Sequence, residues 1–175
     1  IGNVGTNAED IETITPAARG LVLKADITEP ANWRSNQHLD AWLKSHGIPG
    51  LCGVDTRKLT RRIRDLGAPN GVIVHAPEGH IDIAKYQAMA AAWPGLEGMD
   101  LALDVTCRQS YGWDESAWVL GQGYARQTDP KFHVVALDYG AKRNILRCLA
   151  ESGCKVTVLP AKSSFEDIMR HQPDG

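Results

Sequence analysis

The run from His133 to Pro160 changes its period twice, and each change marks an element. Val134 to Leu137 is a short apolar stretch closed by Asp138, Tyr139 and Gly140. Beyond it Ile145, Leu149 and Ser152, with Leu146 beside them, recur at helical spacing. Gly153 follows as a residue able to take positive φ at a helix end, and Val156, Val158 and Leu159 form a second apolar run that Pro160 stops. This is a β-α-β unit, whose strands should be parallel and buried on both faces. Ser163 and Glu166 have the spacing of a capping box for a helix from Ser164 to about His171. Pro173-Asp174-Gly175 is a turn that should lead to a third strand. A doubly wound sheet needs about five strands and on the order of 100 residues, so this region reads as a domain cut short. Ile1, with no Met and a loop-like Gly2 to Asn7 behind it, reads as an internal start. Two strands and two helices cannot cover both faces of a sheet. The part after residue 132 is therefore expected to be loosely held, and the part before 128 to be the cooperative one.

With 175 residues, 43% hydrophobic and 23% charged, there is material for one soluble domain and part of another. A net charge of −2 gives no reason to expect a nucleic-acid or membrane surface. No apolar run approaches the ~18 residues of a membrane span, and no signal peptide is visible. Cys52, Cys107, Cys148 and Cys154 have no CxxC spacing, for which a reduced, cytoplasmic setting is the simplest reading.

In chain order, an acidic cluster of Glu9, Asp10 and Glu12 precedes Pro16 and Gly20. Alternation from Leu21 to Ile27 predicts a strand, which Pro30 stops. Ser35 or Asn36 is placed to cap a helix carrying Leu39, Trp42 and Leu43, and Gly50 to Val54 reads as a short strand. Asp55 is a good N-cap for Thr56 to Leu66, where Leu59, Ile63 and Leu66 face a core and Arg57, Lys58, Arg61, Arg62 and Arg64 fill the remainder. After Gly67 and the turn Pro69-Asn70-Gly71, Val72 to Val74 predicts a strand, and Ile83, Tyr86, Ala90 and Trp93 a helix over about 81 to 93. Met99 to Val105 alternates like a strand, but Asp100 could equally cap one helical turn. Ser116 to Leu120 is consistent with an edge strand, and Gln127-Thr128-Asp129-Pro130 with a linker, placing a domain boundary near 128 to 131.

Four strings, in order, resemble the small (glutaminase) subunit of glutamine-dependent carbamoyl phosphate synthetase. They are Ile1-Gly-Asn-Val-Gly-Thr-Asn7 with Glu9-Asp10, then Asp55-Thr-Arg-Lys-Leu-Thr-Arg61 with Gly67-Ala68 and Asn70-Gly71, Pro94-Gly-Leu-Glu-Gly-Met-Asp-Leu-Ala102, and Asp138-Tyr-Gly-Ala-Lys-Arg-Asn-Ile-Leu146. Leu137 departs from the family's usual aromatic, and Cys52-Gly53-Val54 from its frequent Gly-Ile. The resemblance implies an α/β fold in two parts. Residues 1–128 would be most of the small subunit's N-terminal domain, and 132–175 the start of a flavodoxin-like class I glutamine amidotransferase domain. It implies a glutamine amidotransferase subunit of a ligase, passing ammonia from L-glutamine to a large subunit that makes carbamoyl phosphate for arginine and pyrimidine biosynthesis. ATP, magnesium and bicarbonate would belong to the large subunit, with no cofactor bound by this chain. That expectation agrees with the absence of a G-x-x-x-x-G-K-[ST] loop and with the single glycine in Asp138-Tyr139-Gly140.

Glutamine hydrolysis of this class needs a Cys on a G-x-C-x-G elbow, a His base, a Glu to orient it and an oxyanion hole. The closest string, Gly50-Leu51-Cys52-Gly53, lacks the second glycine, so no catalytic residue is assigned and the chain alone is expected to be inactive. Cys52, Cys148 and Cys154 read as buried structural thiols. His38 and His46, eight residues apart, are too distant on one helix to share a metal. An alternative to the enzyme-subunit reading is a non-catalytic docking module for a partner chain. Arg57, Arg61 and Arg62 are candidate docking residues, with Glu9, Asp10 or Glu12 as possible intramolecular partners for the basic helix; nucleic acid fits less well, since no aromatics are interleaved. Lys142 is a candidate for the glutamine site. It lies in the loop leaving the carboxyl end of a strand, where ligands of open α/β sheets sit, and places positive charge at the positive end of a helix dipole.

Overall fold

The computed structural model describes residues 3–13 and 15–175. Packing divides the chain into two compact units, Ile1–Ala8 with Pro16–Met99, and Glu9–Thr15 with Asp100–Gly175. The linker expected at 127 to 130, with its boundary near 128 to 131, lies inside the second unit and is tied to it. Gln127 donates its backbone N–H to the Asp114 carbonyl at 2.7 Å and its side-chain amide to the Ala150 carbonyl at 2.9 Å.

The first unit is built from short pieces. Strand β1 (Leu21–Val22) pairs in parallel with β2 (Gly50–Leu51), both shorter than the alternation predicts. Helix α1 (Leu39–Ser45) starts later than Ser35 or Asn36 would allow, because the Ser35 and Asn36 N–H groups are engaged by the carbonyls of Asn32 and Thr6 and Gln37 bridges to Thr6. His38 is the cap instead, its Nδ1 accepting from the Asp40 N–H at 3.2 Å. Asp55 caps α2 (Thr56–Leu66) as expected, accepting from the Lys58 N–H at 3.0 Å. Helix α3 (Ile83–Ala92) is capped by Asp82. The strand expected at 72 to 74 does not form. Ile73 packs over Gly20 instead, so closely that a β-carbon there would lie 2.4 Å from its Cδ1. Among the described residues of this unit only Leu43 is a buried apolar side chain.

The second unit holds the core. Helix α4 (Leu101–Val105) settles the ambiguous stretch in favour of a helical turn, though Asp100 makes no side-chain cap bond. Strands β3 (Tyr111–Trp113), β6 (Phe132–Asp138) and β7 (Cys154–Pro160) form one sheet in the order β3-β7-β6. Pairs β6 and β7 are parallel from Phe132↔Cys154 to Asp138↔Pro160, joined through α5 (Arg143–Glu151), as the β-α-β reading requires. The strand that β7 needs on its other side comes from upstream, with β3 antiparallel at Tyr111↔Val158. A separate hairpin, β4 (Glu115–Val119) with β5 (Gly123–Arg126), takes in the expected edge strand. Only β7, the central strand, is well buried; β6 stays half-buried, against the expectation for both. At the open side of β6 the His133 carbonyl accepts the Asp174 N–H at 2.7 Å, and the Val135 N–H reaches the Gly175 carbonyl at 3.0 Å.

Leu146, Cys154, Val156 and Val158 make the buried cluster, with Cys107, Trp113, Val134, Ala136 and Leu149 against it. The carboxyl-terminal part, expected to be loosely held for want of cover, is covered from upstream: β3 pairs with β7, and the hairpin packs on α5. Helix α6 (Phe165–Met169) has its capping box one residue later than expected, at Ser164 and Asp167. The bonds from Ser164 hold the Asp167 carboxyl below the usual carboxylate range.

Leu146 is 2% exposed at the centre of this cluster. Truncation to alanine removes buried methyl groups and leaves a cavity, so Leu146→Ala is expected to cost about 2–5 kcal/mol in urea unfolding. The equivalent change at Ile145, 55% exposed on the same helix, should cost much less.

Candidate functional site

The corner between β6 and α5 is built on a buried carboxylate. Asp138 is 8% exposed. Its Oδ1 accepts the N–H groups of Gly140 and Ala141, each at 2.9 Å, and its Oδ2 that of Cys107 at 2.6 Å. Gly140 has φ 89°, and a β-carbon there would meet Val105 Cγ2 at 2.8 Å, so this turn needs glycine. Thr106 Oγ1 accepts the Ala161 N–H at 2.8 Å, which fastens residues 105–107 to the carboxyl ends of β6 and β7 together. Burial, then the adjacent Asp138 charge, push the Cys107 thiol up, and the same two causes in the same order raise the Tyr111 hydroxyl. A thiol displaced upward is the opposite of an activated nucleophile. Chemically this corner can orient a polar group but offers no nucleophile.

Lys142 is the N-cap residue of α5, is exposed, and makes no side-chain cap bond. The positive end of α5 is answered by Glu12 instead. The Glu12 carbonyl accepts the Arg143 N–H at 3.2 Å, and its Oε2 accepts the Asn144 N–H at 2.8 Å. One turn on, Arg147 has a side chain only 4% exposed; its Nε lies 2.8 Å from Glu115 Oε1 and its Nη1 3.4 Å from Glu12 Oε1. Its guanidinium stacks 3.8 Å over the Tyr124 ring. The Tyr124 hydroxyl donates to the Glu9 carbonyl at 2.9 Å, and Trp118 Nε1 to Glu9 Oε2 at 3.0 Å. Two members of the acidic cluster are thus engaged within the second unit. Nothing in the sequence reading assigned Arg147 a role, although a cation one residue after Leu146 and three before Ala150 stands inside the apolar arc of its helix.

The basic residues of α2 form the other candidate surface. Arg57, Lys58, Arg61, Arg62 and Arg64 are all exposed, and no ion pair involves them among the described residues. Thr56, Arg57, Thr60, Arg61 and Arg64 line an open cleft of about 460 Å³. The apolar stripe of α2 is poorly covered, with Ile63 40% and Leu66 77% exposed. Cys154 is buried as expected, but Cys52 and Cys148 are exposed, since Cys52 follows a two-residue strand and Cys148 faces away from the sheet. His46 stacks on Trp42 at 4.3 Å. Among the described residues no group of three His, Cys, Asp or Glu side chains could hold a metal ion.

Fold and corner together define a mixed α/β chain with a strand–turn–helix rim at the carboxyl ends of a parallel pair. Residues 1–73 match the family model described as carbamoyl-phosphate synthase small chain, CPSase domain. Over its whole length the chain is 56% identical to the carbamoyl phosphate synthase small chains of Brucella anthropi and Rhizobium meliloti and 57% identical to that of Ruegeria pomeroyi. It belongs to the carbamoyl phosphate synthase small-chain family, and it spans 44 to 45% of the length of these relatives.

Removing the Asp138 carboxylate leaves three backbone donors in a partly buried corner without their acceptor. Asp138→Ala is expected to cost about 1–3 kcal/mol in denaturant unfolding. It also removes a negative charge beside Cys107, so alkylation of Cys107 by iodoacetamide at fixed mildly alkaline pH should become faster, as followed by mass spectrometry of the labelled peptide.

Proposed function

We propose that the chain is part of the glutamine-hydrolysing small subunit of carbamoyl phosphate synthetase, supplying ammonia to a large subunit that makes carbamoyl phosphate from bicarbonate and ATP. The observation that carries this reading is the 56% identity, along all of the sequence, to proteins named as small chains of that enzyme. The catalytic Cys, His and Glu are assigned to residues other than these 175, since no G-x-C-x-G string occurs here and Val54 stands where Cys52 would need its second glycine. ATP, magnesium and bicarbonate are assigned to the large subunit, and the setting to a reduced cytoplasm. Among the described residues no helix is long and apolar enough to cross a membrane.

The basic face of α2, at Arg57, Arg61 and Arg62, is the surface we assign to an acidic face of the large subunit, since five adjacent cations with no ion pair among the described residues repel one another until an acidic surface meets them. Lys142 is assigned to hold a polar or anionic group of the glutamine site without acting as acid or base.

In the full-length protein with its large subunit, Lys142→Met should raise the KM for glutamine while ammonia-dependent synthesis stays at the wild-type rate. Unchanged glutamine kinetics would remove Lys142 from the site. Reversal of charge in Arg61→Glu/Arg62→Glu should weaken complex formation at low salt, measured by ultracentrifugation. A variant that associates as tightly as wild type would place the interface elsewhere.

A further inference from the structure

The loop that follows β6 has its backbone donors held from two places far apart in sequence. Asp138 takes the N–H groups of Gly140 and Ala141, and Glu12 takes those of Arg143 and Asn144. Four of the five amides from 140 to 144 therefore point inward to one of these two residues, and the side chains of Tyr139 and Lys142 are left exposed on the rim. Asp138 belongs to the strand itself, so its hold is local. The hold of Glu12 depends on residues 9–15 docking on this unit, where Glu9 is met by Trp118 and Tyr124 and Glu12 by the nearly buried Arg147.

We propose that Glu12 is a positioning residue for the glutamine site: by fixing where α5 begins, it sets the shape of the 138–144 loop at the carboxyl end of β6, where ligands of open α/β sheets are bound. This rests on the function proposed above. Glu12 touches neither glutamine nor a reacting atom; it acts through the Arg143 and Asn144 amides and through Arg147. Loss of its charge leaves Arg147 with Glu115 and the Tyr124 ring and lets the first turn of α5 shift. Because displacement of a binding group by about 1 Å can change rates on the order of a hundredfold, a shift of this turn should be visible in kinetics.

The test uses the full-length small chain assembled with its large subunit, carrying Glu12→Ala or Glu12→Gln, with Glu12→Asp as the conservative variant. At a temperature where circular dichroism shows each variant folded, Glu12→Ala should raise the KM for glutamine by roughly tenfold or more. Glu12→Gln, which keeps an acceptor but not the charge, should raise it less, and Glu12→Asp should restore part of the loss. Ammonia-dependent synthesis should not change. Amide hydrogen exchange at 140–144 should quicken in Glu12→Gln, with exchange across the β6–β7 pairs unaltered. Wild-type glutamine KM in folded Glu12→Gln overturns the proposal, whether or not exchange at 140–144 quickens, because quickened exchange alone would mark a purely structural contact. If Glu12→Ala does not fold, the Glu12→Gln and Glu12→Asp values decide. If the wild-type assembly itself hydrolyses no glutamine, the proposed function fails and this positioning role with it, whereas wild-type hydrolysis with unaffected variants leaves the function standing and removes Glu12 alone.

Discussion

A guanidinium buried to 4% side-chain exposure governs how the second unit is put together. Moving a charge out of water costs several kcal/mol even after relaxation, and the cost is offset only where partners sit in good geometry. Arg147 finds two carboxylates and an aromatic face, and each comes from a different piece of chain: Glu115 from β4, Tyr124 from β5, Glu12 from the segment between the two pieces of the first unit. Helix α5 therefore sits on the sheet with the hairpin and the segment both packed against its buried guanidinium. The apolar cluster under α5 supplies the driving force, and the ionic contacts select which pieces may sit over it.

The two units differ in what holds them. In the second, Leu146, Val156 and Val158 are almost fully enclosed, and a central strand is paired on both sides. In the first, the described residues offer capping bonds at Asp55 and Asp82, a two-residue strand pair and one buried leucine. Segments with few buried apolar contacts open at low free energy, so exchange and proteolysis should begin there. The same unit carries the exposed arginines and the uncovered Leu66.

Local signals were legible wherever one element decides the outcome. Asp55 before a basic amphipathic run gave α2 to the residue, and the change of period around Asp138 and Gly153 gave the β-α-β unit. Contacts between elements were not. Nothing in Tyr111-Gly112-Trp113 announces that it will pair with β7, because a three-residue strand has no readable alternation. The run Val72 to Val74 has the composition of a strand yet has none to pair with among the described residues, and β propensity describes a fit to neighbours rather than a property of the segment. At the candidate site, Lys142 and the turn glycine could be placed from spacing. The roles of Glu12 and Arg147 could not, since a pairing across 135 positions leaves no periodic trace.

That separation also sets an order of events. Glu12 leaves the ribosome early, and its partner Arg147 emerges after the whole first unit and the β4–β5 hairpin have been made. Until then an acidic segment waits without its cation, closing the largest loop in the second unit last. Loop-closure entropy grows only with the logarithm of length, so the delay weighs on rate more than on final stability. Nascent chains of this protein should pass through a stage in which the β4–β5 hairpin has been made and the segment around Glu12 is still open to capture by other basic surfaces.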